Sequence, residues 1–199
     1  KKSNVFPGTI RYVDVYVPAG YDGKTPACVC VFQDGMSYKA DTVVSNLIES
    51  KELPMMILIA ASPGWVPGDF DPESPRANRT YEYDTPFPRF GKFLLDELLP
   101  FVETLQTSDG RRIVLSDKRE DRMITGCSSG AACAFNVAWN TNAFSVYTNC
   151  TDEIDEVSAR HAVTAVLNLK LNQYVSFFRV VLRICGHRLE IGGVQIRQW

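Results

Sequence analysis

Residues 122–139 read RMITGCSSGAACAFNVAW, and this stretch decides the fold. Arg122–Thr125 is a short β-prone run, and Ala131–Trp139 is rich in Ala and compatible with a helix. Between them, Gly126-Cys127-Ser128-Ser129-Gly130 spaces two glycines evenly about a serine. A nucleophilic serine on a sharp strand-to-helix turn needs that spacing, because a Cβ at either glycine would strike the neighbouring strand or helix. The turn lifts the hydroxyl out of the sheet and puts the next N–H, that of Ser129, at a helix N-terminus where it can stabilise an oxyanion. Gly and Ser are common loop residues, so an ordinary turn can give the same pentapeptide. The strand before it and the helix after it favour the nucleophile elbow, with Ser128 as the nucleophile. Ser129 occupies the motif's variable position.

Upstream, Thr9–Pro18 (TIRYVDVYVP) alternates apolar and polar residues, the period of a half-buried strand. Ala27–Phe32 (ACVCVF) and Met55–Ala61 (MMILIAA) are continuous apolar runs, as expected of strands covered on both faces. A short helical pattern over Val43–Glu52 separates them, so strand, helix and strand follow in turn, the order of a parallel crossover. Asp34-Gly35-Met36 follows the first of these central strands, where a second oxyanion donor is expected. A plain turn there is equally consistent. Ser62–Pro88 is a long polar connection containing six prolines, of the length that usually shapes a site. Phe90, Phe93, Leu94, Leu98, Phe101, Val102 and Leu105 recur at intervals of three and four, predicting an amphipathic helix that Pro100 kinks or restarts.

The 199 residues suffice for one domain with a sizeable core, and 45% hydrophobic with 22% charged residues is an ordinary globular balance. A formal charge of −2 lacks the concentrated basic surface that nucleic acid or an acidic membrane requires. The expected partner is a small molecule or another protein. The six cysteines form no CxxC pair; Cys28 and Cys30 fall on one face of a strand, and most of the six read as small buried hydrophobes. Two Asn-x-Thr triplets, at Asn78 and Asn149, point weakly towards an oxidising compartment. No signal peptide or transmembrane segment is read in the chain, and localisation stays open.

Four stretches, taken together, resemble the Putative esterase family, which includes enterochelin-esterase-like and esterase-D-like α/β-hydrolases. They are RYVDVYVPAGYDGKTPACVCVFQDG (11–35), NRTYEYD (78–84), FLLDELLPFVE (93–103) and DRMITGCSSGAACAF (121–135), in the family's order from Val5 to about Ser145. The resemblance implies an α/β-hydrolase-type three-layer sandwich with a mostly parallel central sheet. It implies a serine hydrolase of carboxylic esters with neither metal nor organic cofactor. It maps the nucleophile to Ser128, the oxyanion hole to the N–H groups of Met36 and Ser129, and the substrate cleft to Asp34, Gly35, Arg79 and Glu82. Arg79 and Glu82 are expected to form an ion pair, a structural salt bridge in the first place and a pair shaping the cleft in the second. Ala131 departs from the family pattern, where a second Gly is common.

A serine hydroxyl needs a histidine base, oriented by an acid, in the order Ser, acid, His. The chain has two histidines, His161 and His187, 33 and 59 residues beyond Ser128. An intact fold would place more than about 60 residues, two further strand–helix–strand units, before that histidine. The resemblance stops near Ser145, so residues 1–145 are read as the core of the domain and 146–199 as an atypical tail replacing its remainder, the fold being incomplete at that end. If the tail supplies the triad, His187 with Asp152 or Asp155 is the available set; a histidine in a Gly-His-Arg turn is otherwise a solvated loop residue. The alternative function is a non-catalytic binding domain, a pseudoenzyme or truncated form of the same fold. Transfer of the acyl group to an alcohol is a third, weaker option. A sheet ending after the elbow helix would leave the elbow strand as an edge or under unrelated residues, inviting self-association.

Overall fold

The computed structural model describes residues 2–36, 39–67, 78–85, 88–150, 190–191 and 194–195, with backbone alone for 146–150 and the last two pairs. Five strands form the main sheet: β1 (Val13–Tyr16), β2 (Cys28–Gln33), β3 (Met56–Ala61), β4 (Arg122–Cys127) and β5 (Val146–Cys150). Their spatial order is β1-β3-β2-β4-β5. β3, β2, β4 and β5 run parallel, and β1 lies antiparallel along β3. β3 is buried at all six positions, as its unbroken apolar sequence requires, whereas the alternating β1 is only half-buried. Two short strands, β6 (Glu190–Ile191) and β7 (Val194–Gln195), form a separate antiparallel pair.

Alternate residues of each strand feed two hydrophobic layers. Cys30 and Phe32 of β2, with Met56, Leu58 and Ala60 of β3, face α1 (Ala40–Glu49), which buries Ala40, Val44 and Leu47 against them. Val29, Val31, Ile57 and Ile59 face the other side. There they meet Phe90, Phe93, Leu94, Leu98 and Val102 together with Cys133, Ala134 and Val137. The result is the expected α/β sandwich of three layers.

The second layer contains one helical run: α3 (Arg89–Phe93), a π-helical turn (Leu94–Leu98) and α4 (Leu99–Val102). Pro100 cannot donate to the carbonyl four residues back, and its ring crowds that carbonyl; the widened turn just before it absorbs the misfit. The run ends at Val102, so Leu105, expected within it, packs from beyond its end. The helix that follows β4, α5, covers Ser129–Thr141.

Two expectations change. Within the long connection 62–88 there is a five-residue helix, α2 (Arg79–Tyr83), too short to leave a periodic signal. Of the two outcomes expected for β4, an edge or cover by other residues, it is not an edge, because β5 pairs along it from Met123↔Val146 to Cys127↔Cys150. Cys28, Cys30, Cys127 and Cys133 are free thiols, and the first two share one face as read. No helix among the described residues is long and apolar enough to cross a membrane.

Candidate active site

From β2 the chain passes to β3 on one side, then returns across β2 to place β4 on its other side. The strand order therefore reverses between β2 and β4. In open parallel sheets the crevice outside the carboxyl ends at such a reversal is where ligands bind. Phe32 pairs with Thr125, so two residues further along each strand bring Asp34 beside Cys127. The Asp34–Met36 turn and the Ser128 corner thus share one crevice.

Ser128 links β4 to α5 with φ 54° and ψ −125°. A residue with a side chain reaches that region only at a cost of about 1–3 kcal/mol, and such strain concentrates at functional sites. The serine is exposed, while Gly126 and Gly130 are buried. A Cβ on Gly126 would lie 2.5 Å from the carbonyl carbon of Gly130, and one on Gly130 would lie 3.0 Å from Cβ of Gln33. The corner excludes a side chain at Gly126, where the obstacle is backbone, and leaves little room for one at Gly130. Ser129 begins α5, in the first turn, where N–H groups have no acceptor within the helix. Its hydroxyl donates to Asp84 Oδ2 at 3.2 Å.

Across the crevice Asp34 has φ 67° and Gly35 φ 102°, a left-handed turn leading to the half-buried Met36. Arg79 donates Nε to Asp34 Oδ1 at 2.7 Å and Nη2 to Asp34 Oδ2 at 2.8 Å, and Nη2 also reaches the Cys127 carbonyl at 3.1 Å. The Asp34 carboxylate, chiefly through that hydrogen bond, raises the Arg79 pKa. The Asp34 N–H donates to the Tyr83 hydroxyl at 3.2 Å, and that hydroxyl donates to the Ala61 carbonyl at 3.4 Å. Burial, followed by the Asp34 charge, pushes the Tyr83 phenol upward, so it stays protonated and able to donate.

The expected Arg79–Glu82 pair does not form. Glu82 turns inward and meets Arg11 through two hydrogen bonds, 3.0 Å and 2.9 Å, while accepting the Gly64 N–H at 3.2 Å. Arg79 turns the other way, to Asp34. The partners flank the sheet, Arg11 just before β1 and Asp34 just after β2, so α2 is braced between the chain entering β1 and the chain leaving β2 and β4. Glu82 therefore supports the cleft from behind. The Arg11, Tyr83 and Asp84 contributions carried no sequence signal, since each partner is remote in the chain.

His187, His161, Asp152 and Asp155 lie outside the described residues. Among the described residues, no group of three His, Cys, Asp or Glu side chains converges as a metal site would. An open cleft of about 780 Å³ between Val5 and Lys92 reaches Thr141, at the far end of α5 from Ser128, and touches none of the residues named for the site.

The family model Putative esterase matches residues 3–149, which include every strand of the main sheet up to β5. The chain belongs to the Putative esterase family. Among solved structures, this esterase-family chain is similar to the enterochelin esterase from Shigella flexneri: 19% identity and a TM-score of 0.52, over 70% of this chain and 32% of that one. It is also similar to the ferric enterobactin esterase from Salmonella typhimurium, at 17% identity and a TM-score of 0.53, again over 70% and 32%. Identities this low establish the α/β-hydrolase-like fold alone. The chain spans about a third of the length of these relatives. No curated protein matches it significantly in sequence.

Proposed function

We propose that this chain is built around the nucleophile of a carboxylic-ester hydrolase, and that Ser128 is that nucleophile. One observation carries the reading: Ser128 stands exposed at φ 54°, ψ −125°, on the corner between β4 and α5, at the strand-order reversal. Its Oγ attacks the ester carbonyl while a histidine accepts its proton. The backbone N–H groups of Ser129 and Met36 receive the developing oxyanion. Collapse expels the alcohol, which takes the proton from the histidine, and water then hydrolyses the acyl-serine by the same route. The substrate is a small-molecule ester, and the chemistry calls for no cofactor. Asp34, Gly35 and Arg79 line the cleft beside the reacting carbonyl. His187, oriented by Asp152 or Asp155, is the base that the sequence offers.

The test is labelling by a fluorophosphonate, with the adduct mapped by peptide mass. Modification of Ser128, lost in Ser128→Ala, is the expected result; a folded sample that takes no label overturns it.

The second reading, a non-catalytic domain that binds a ligand in the same crevice, is favoured by a single observation. Both histidines stand closer to Ser128 in sequence than two further crossover units require. Ser128-dependent turnover of a nitrophenyl ester rules it out.

A further inference from the structure

The guanidinium of Arg79 makes three hydrogen bonds, and they join two separate pieces of chain. Two go to the Asp34 carboxylate at the head of the Asp34–Met36 turn, and the third goes to the Cys127 carbonyl, one residue before Ser128. A planar fork binds both carboxylate oxygens from two nitrogens while one of them also reaches the carbonyl; a lysine ammonium, with its donors on one atom, cannot hold that two-point geometry. The ion pair is largely shielded, with side-chain exposures of 16% and 15%, so it is not one of the solvated surface pairs that contribute little. Arg79 is itself anchored, because α2 is held from behind by the Arg11–Glu82 bonds and by the Tyr83 hydroxyl.

The electrostatics agree. Asp34 Oδ2 lies 3.1 Å from where a Gly130 Cβ would stand, so this carboxylate borders the elbow. Alone, a negative charge there would repel an oxyanion forming nearby; paired with Arg79, it is neutralised.

We propose that Arg79 is a positioning residue: it ties the Asp34–Met36 turn to the Cys127–Ser129 corner and so sets the separation of the two oxyanion donors, while cancelling the Asp34 charge beside them. The proposal rests on the reading of Ser128 as the nucleophile. Arg79 acts through the backbone on both sides of it and touches no reacting atom.

The test combines two readouts on the full chain. Hydrogen exchange reports whether residues 34–36 and 127–129 are held, and fluorophosphonate labelling reports the reactivity of Ser128. In Arg79→Met, exchange at both segments should rise while the rest of the sheet keeps its protection. Labelling should slow by about 10- to 100-fold, the usual consequence of misplacing a preorganised donor. Arg79→Lys restores the charge and not the fork, so it should recover only part of the rate. Should Arg79→Met fail to fold, Arg79→Lys carries both readouts. Unchanged exchange with slower labelling would make Arg79 a ligand contact and overturn the proposal. Faster exchange with unchanged labelling would reduce it to a structural brace and also overturn it. If wild type takes no label at Ser128, the nucleophile reading fails and the positioning role in a reaction falls with it. Exchange in Arg79→Met then decides whether the tie itself exists.

Discussion

A Cβ added to Gly126 would stand 2.5 Å from the carbonyl carbon of Gly130 and 2.6 Å from its oxygen. Both obstacles are backbone, so neither can swing away, and the strand and the helix would have to part. At Gly130 the nearest atoms are Gln33 Cβ at 3.0 Å and Asp34 Oδ2 at 3.1 Å, tight but partly yielding. Gly126→Ala should therefore cost about 3 kcal/mol or more, and Gly130→Ala about 1 kcal/mol. Urea unfolding of the two variants checks the order; equal losses would contradict the geometry.

The Arg11–Glu82 pair is almost wholly enclosed, with side-chain exposures of 9% and 0%. Glu82→Gln leaves a guanidinium buried without its counter-charge, an imbalance that costs about 3–5 kcal/mol. Replacing both members by apolar residues of similar size should recover most of that loss. Gly64→Ala should behave like a milder Glu82→Gln, since its Cβ would press to 2.7 Å from Glu82 Oε1. Chemical denaturation of the single and double variants gives the comparison.

Gln33 is buried beneath the Ser128 corner, and among the described residues neither its amide nitrogen nor its oxygen has a hydrogen-bond partner. An unsatisfied buried group costs about 1–3 kcal/mol, and an apolar isostere removes that cost. Gln33→Met should leave the melting temperature unchanged or raise it. A clear fall would mean that the amide has a partner, such as an ordered water, in solution.

Burial, reinforced by the Asp121 carboxylate, pushes the Cys28 thiol up to about 12, and burial drives Cys30 and Cys133 upward as well. In the unfolded chain a thiol titrates near about 8.5. The folded state thus keeps protons that the unfolded state releases. This contribution to stability is complete below about pH 8 and declines as pH rises from there towards 12. Urea midpoints from pH 7 upward should fall more steeply for the wild type than for Cys30→Ala. Native-state reaction with a thiol reagent should likewise be slow at Cys28, Cys30 and Cys133 and become rapid on unfolding.

Much of the architecture was legible because it is written in local periodicity. The apolar runs Ala27–Phe32 and Met55–Ala61 became β2 and β3, shifted by one residue at their starts, and the three- and four-residue spacing from Phe90 to Val102 became a continuous helical run. Pro100 marks an irregularity in the sequence, but its form, a π-helical turn, depends on how the chain packs around the missing donor. The short helix α2 was invisible: five residues carry almost no intrinsic helical stability and are held by Arg11 and Asp34 from elsewhere in the chain.

For the site the division falls in the same place. The sequence alone determined that Ser128 sits between a strand and a helix, since a β-prone and a helix-prone segment flank it, and its two glycines permit the close approach that a sharp corner there needs. Tertiary structure alone decided what surrounds it. Arg79 and Glu82, three residues apart, were expected to meet, yet one reaches Asp34 and the other Arg11. A local pair gains little in water, whereas the fold fixes Arg11 and Asp34 at the sheet's margin, where a shielded charge must be paired with good geometry.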